Sequence, residues 1–139
     1  MLRLIRDRLP RAFAIGADYV LGPLTNLANK MPDIPLLQSD LTRCPLPDRS
    51  LDVVVLLNVL EHIRDDSAAA AQVFRILKPG DIAAIEVPAG PRLYDAYDRI
   101  LMHERWYSFG QLKKLLLGAG LEILPTPTWV SSSTQDFGG

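Results

Sequence analysis

Residues 51–63, LDVVVLLNVLEHI, decide the fold. After Asp52, five apolar residues from Val53 to Leu57 run without alternation. An unbroken, β-branched run of this length suits a strand buried on both faces, in the middle of a parallel sheet covered by helices. Asn58, Glu61 and His62 follow just past its carboxyl end, where open α/β sheets bind their ligands.

Upstream, Leu2, Ile5 and Leu9 recur at helical spacing, so residues 1–9 read as a short helix that Pro10 ends. Residues 13–17 read as a strand with Asp18 at its end, and 34–38 as a second strand leading to Ser39 and Asp40. Between them Pro23 starts a helix with Leu24, Leu27, Ala28 and Met31 on one face. Residues 42–50 form a proline-containing loop. Downstream, the spacing predicts a helix over 65–77 with Ala70, Val73, Phe74 and Leu77 buried, stopped by Lys78, Pro79 and Gly80. A strand over 82–87 comes next, then a helix carrying Leu93, Tyr97, Ile100 and Leu101. Ser108 and Gln111 match a capping box, with Tyr107 and Leu112 placed as its hydrophobic staple. Residues 121–124 read as a last strand. Strands alternating with helices argue for parallel connections and an α/β sheet.

A chain of 139 residues supports one core and one domain. Its net charge of -1 gives no basic face of the kind nucleic-acid binders carry, so no nucleic-acid partner is expected. No apolar run reaches the length of a membrane span, and no membrane partner is expected. The basic start, MLRLIRDRLPR, lacks the apolar core of a signal peptide. A single cysteine, Cys44, forms no internal disulfide and fits a reducing compartment, so a cytoplasmic location is expected.

Three stretches together carry a family likeness: LPDRSLDVVVLLNVLEHI, ILKPGDIAAIEVP and HERWYSFGQLKKLLLGAGLEI. In this order the chain resembles the class I S-adenosylmethionine-dependent methyltransferases over residues 1–124. The resemblance implies a three-layer Rossmann-like α/β sheet, a partial domain over 1–124 and an irregular tail over 125–139. It also implies absences. The family's first strand and glycine-rich turn precede the helix in which Met1 stands, and no GxGxG occurs. The closing C-terminal hairpin is also expected to be missing. Asp81 stands where the family often has a second glycine after KPG. A truncated chain, weak in methyl transfer, is the resulting expectation.

By the same resemblance, Asp18 accepts from the ribose hydroxyls of S-adenosyl-L-methionine, a role suited to a carboxylate facing a diol. Asp40 accepts from the adenine amino group, the Leu41 backbone reaches the ring, and Asn58 and Val59 line the cofactor. Other roles for these acids are a helix cap at Asp18 and a turn at Asp40. A helix starting at Asn58 would put Asn58, Glu61 and His62 on one face, able to ligate a metal or a hydroxyl. A capping box from Asn58 and Glu61 explains two of the three, so no metal is expected. Histidine titrates near neutrality, and His62 is the candidate general base for a small-molecule methyl acceptor. Two rival functions are a non-catalytic or partner-dependent fragment, which self-associates through an exposed sheet edge, and a dinucleotide-dependent oxidoreductase. The LEH and KPG stretches do not fit the oxidoreductase.

Overall fold

The computed structural model describes residues 1–88 and 104–125. Helix α1 (Leu2–Arg8) leads to β1 (Gly16–Asp18), α2 (Leu21–Lys30) and β2 (Leu36–Gln38). Then come a single 3-10 turn (Leu41–Arg43), β3 (Leu51–Leu57), a second 3-10 turn (Leu60–His62), α3 (Asp66–Ile76), β4 (Leu77–Glu86) and α4 (Phe109–Gly118). The expected helix through Leu93, Tyr97, Ile100 and Leu101, and nearly all of the expected tail, lie outside the described residues.

The strands form two parallel pairs, β1 with β2 and β3 with β4. Parallel pairing follows from the helix between the strands of each pair, which carries the chain back to the same end. The two pairs form separate sheets among the described residues. Gly16 lets β1 lie close to its neighbours, since a Cβ there would meet Leu36 Cδ2 at 2.8 Å and Leu2 Cδ1 at 3.0 Å. Both first strands are shorter than the sequence pattern suggests. Phe13, expected to begin β1, is 81% exposed and outside any ladder, and β2 begins at Leu36 after Pro35, which has no N–H to donate.

The main core lies between the β3–β4 pair and α3. Val54, Leu56, Leu60, Ala69, Val73, Ile76, Leu77 and Tyr107 form one buried cluster, with Leu112 and Leu115 of α4 packed against it. Alanines at 69 and 70, both essentially fully buried, let α3 approach the sheet closely. Phe74, expected on that buried face, is half exposed and points past it.

Strand β3 departs from expectation in one important way. Only Val54 and Leu56 are buried; Val53 is 58% exposed and Leu57 is 39% exposed. Among the described residues the strand is covered on one face, not two: Val54 and Leu56 pack against α3, while Val53 and Leu57 stay open. Ile82, the register partner of Val53, is also exposed on that side.

Between Leu77 and Ile82 the chain bulges outward: Leu51 pairs with Leu77, then Val53 with Ile82. Gly80 takes a φ of 84° within this bulge. Asp81 is not among the residues at positive φ, so a second glycine is not demanded there. Lys78 reaches across to Asp52 at 2.7 Å. Residues 121–124, expected as a last strand, pair with nothing in the described structure.

Candidate functional site

The candidate residues stand at or just past the carboxyl ends of the strands, Asp18 and Asp40 after the β1–β2 pair and Asn58, Glu61 and His62 after β3. Asp18 ends β1, and its Oδ1 accepts from the Val20 N–H at 2.9 Å. Ser39 N–H donates to the Asp18 carbonyl at 3.1 Å, which brings the end of β2 beside the end of β1. Asp40 follows the end of β2 by two residues and caps the next turn. Its Oδ1 accepts from both the Thr42 N–H, at 2.8 Å, and the Thr42 hydroxyl, at 2.7 Å. These two hydrogen bonds hold the Asp40 carboxyl below the usual aspartate range. In both acids Oδ1 fixes the side chain, while Oδ2 carries no protein hydrogen bond among the described residues. Leu41 opens the 3-10 turn that Asp40 caps.

At the end of β3 the expected cap does not form. Asn58 takes a φ of 52° and donates its N–H to Glu86 O at 3.0 Å, which keeps it in the β3–β4 ladder. A left-handed residue cannot begin a helix as its N-cap, and asparagine is one of the few non-glycine residues that tolerate this conformation. Val59 opens the Leu60–His62 turn, which has no side-chain cap. Asn58, Glu61 and His62 are therefore not the aligned face of one helix. Among the described residues no group of three His, Cys, Asp or Glu side chains is placed to hold a metal ion.

Glu61 is fully buried, and His62 is about 40% exposed at its side chain with Nε2 3.8 Å from Glu61 Oε1. The buried Glu61 carboxylate thus lies beside the imidazole ring. Sequence reasoning singled out Glu61 for its spacing and missed its burial, which depends on what packs around it.

A second polar cluster was not foreseen. Arg105 ion-pairs with Asp66, and Tyr107, 4% exposed, donates its hydroxyl to Asp66 Oδ2 at 2.8 Å. Burial, then the bond to Asp66, push the Tyr107 hydroxyl above the ordinary tyrosine range, and Arg105 opposes this in part. Tyr107 and Asp66 lie 41 residues apart in sequence, and no local spacing announces such a pairing.

A family model described as "Methyltransferase domain" matches residues 2–85. A protein of Mycolicibacterium smegmatis described as a "Probable S-adenosylmethionine-dependent methyltransferase" is 32% identical over 114 residues, covering 81% of this chain and 44% of the relative. The chain spans less than half the length of that relative. Among solved structures, a chain described as a methyltransferase, in complex with a Haloferax volcanii methyltransferase activator, superposes with a TM-score of 0.80. It is 21% identical, over 88% of this chain and 57% of that one. The [4+2]-cyclase SpnF superposes with a TM-score of 0.73 at 24% identity, over 88% of this chain and 46% of the cyclase. The fold is thus an α/β fold matching class I methyltransferases, with short parallel sheets and incomplete among the described residues, and the cyclase shows that the fold alone does not fix the reaction.

Proposed function

The chain belongs to the methyltransferase domain family, and from that premise we propose that it binds S-adenosyl-L-methionine and forms the cofactor side of an enzyme that methylates a small molecule. The observation that carries this reading is the pair of adjacent strand ends, where Asp18 and Asp40 are each held by one carboxylate oxygen and keep the other available. Oriented carboxylates of this kind suit the two hydroxyls of a ribose and the amino group of an adenine. The adenosine half of the cofactor therefore fits residues of this chain. Asp18 would accept from the ribose, Asp40 from the adenine, and the Leu41, Asn58 and Val59 backbone would line the crevice.

When bound, the cofactor supplies an electrophilic methyl group on a sulfonium. The acceptor then needs alignment and a free lone pair, and positioning alone can supply much of the rate. In this reading His62, in the turn after β3 and partly open to solvent, would take a proton from an acceptor hydroxyl or amine. The acceptor is a small molecule in this reading.

Titration calorimetry with S-adenosylhomocysteine tests the reading. The wild-type chain should bind it and not NAD, and Asp18→Ala should weaken binding by about 1–3 kcal/mol, the cost of leaving polar ligand groups unpaired. Equal affinity in wild type and variant would remove Asp18 from the site, and NAD binding would favour the oxidoreductase.

A second reading has its own support. The half-exposed Val53 and Ile82 share an apolar face of the β3–β4 sheet. Such a face favours a domain that works with another chain, or with a second copy, covering it.

A further inference from the structure

The turn Leu60–His62 carries His62, the proposed proton acceptor, and Glu61 beside it, yet it is a single 3-10 turn with no side-chain cap. An isolated turn of this kind has poor hydrogen-bond geometry and little intrinsic stability. Its own bonds are two, His62 N–H to Val59 O and Ile63 N–H to Leu60 O, both at 3.1 Å. Something outside the turn must hold Glu61 in its buried position and His62 at the strand end.

Residues 104–107 lie alongside and supply that support. The Glu104 N–H donates to Glu61 O at 2.6 Å. Arg105 spans two points, with Nη2 donating to Arg64 O at 2.5 Å and Nη1 paired with Asp66 Oδ2. Tyr107 gives its one hydroxyl proton to Asp66, at 2.8 Å, and the same oxygen lies 3.4 Å from Leu60 O. The shorter contact takes the proton and the longer one is a weak second contact. The four-residue strap thus touches the carbonyls of Leu60, Glu61 and Arg64 and the first residue of α3. Charge-assisted hydrogen bonds to a half-buried carboxylate are the strong members of this set.

We propose that Arg105 and Tyr107 are positioning residues, which clamp the turn Leu60–His62 against the end of β3 and so fix where the Glu61 and His62 side chains stand. This rests on the reading of the strand ends as a methyl-transfer site, because it assigns the strap to the geometry of that site. Through this clamp the chain after β4 controls a turn more than 40 residues before it. Arginine suits the task and lysine does not, because only a fork of donors reaches Arg64 O and Asp66 together.

The test uses Tyr107→Phe, which keeps the ring and its burial, and Arg105→Lys, which keeps the charge. Amide hydrogen exchange and the NMR signals of the His62 ring are read in both, without ligand. In both variants the His62, Ile63 and Glu104 amides should exchange about tenfold faster, while Val55 and Leu56 in β3 are unchanged, as local opening requires. The His62 ring signals should move. Faster exchange spread evenly over β3 and the turn would reduce the cluster to ordinary stability and overturn the proposal. Unmoved His62 signals would overturn it as well. Failure of the wild type to bind S-adenosylhomocysteine would count against the function proposed above and leave the exchange result to decide the clamp.

Discussion

Asp40 shows how one side chain is prepared by its neighbours. Its lowered pKa comes first from the Thr42 hydroxyl, then from the Thr42 N–H. A carboxylate depressed in this way contributes stability above the unfolded aspartate pKa, and that contribution is lost as pH falls through the folded value. Thr42→Val removes the hydroxyl and keeps the shape, so NMR titration should show the Asp40 midpoint rising toward the ordinary aspartate value. An unchanged midpoint would mean the hydroxyl does not bond the carboxylate in solution. Asn58 gives a second prediction at this scale. Its left-handed backbone should make Asn58→Ala cost about 1 kcal/mol while Asn58→Gly is nearly neutral, by chemical denaturation. A cost in the glycine variant equal to that in alanine would instead point to a side-chain role. The sequence named Asn58 as a residue of interest for its place after the strand, but whether it caps or bends is settled by its hydrogen bond to Glu86.

Helix α4 is the element most completely written in the sequence. The Ser108 hydroxyl accepts from Gln111 N–H at 3.2 Å, and Gln111 Oε1 accepts from Ser108 N–H at 2.8 Å, which makes the expected capping box. At the other end Leu121 N–H reaches Leu116 O, and Gly120 N–H reaches Leu117 O, both at 3.0 Å. This is the Schellman arrangement, with Gly120 at a φ of 95°. A Cβ at Gly120 would also stand 3.1 Å from the Phe74 ring. Gly120→Ala should therefore destabilise the protein by about 1–2 kcal/mol, from the left-handed backbone alone. Thermal unfolding checks this, and a melting temperature equal to wild type would show that α4 ends differently. The end signals of this helix are legible because each is made by residues within five positions of the other.

On the scale of the molecule, the two faces of the β3–β4 sheet differ in consequence. Val54 and Leu56 are buried against α3, and Leu56→Ala should cost about 2–5 kcal/mol as a large-to-small core change. Val53 and Ile82 face outward, and Val53→Lys should change stability by no more than about 0.5 kcal/mol. The same change should lower any self-association seen by analytical ultracentrifugation. A loss of stability from Val53→Lys as large as that from Leu56→Ala would mean another part of the protein covers this face. No described helix is long and apolar enough to cross a membrane.

Local order was legible in the sequence because it is a local property. Periodicity marked α1, α2, α3 and α4; the apolar run marked β3; helices between strands gave parallel pairing; and Asp18 and Asp40 were legible as acids at or just past strand ends. Tertiary structure alone decided what depends on distant neighbours. The run Val53–Leu57 has the composition of a strand covered twice, but exposure is set by what packs on each face, and among the described residues Val53 and Leu57 stay open while Val54 and Leu56 pack against α3. Glu61 is buried, and Asp66, Arg105 and Tyr107 meet, because separate segments converge on one turn after β3. A linear pattern records which side chains can be buried or paired, and the closing of the chain on itself chooses which of them are.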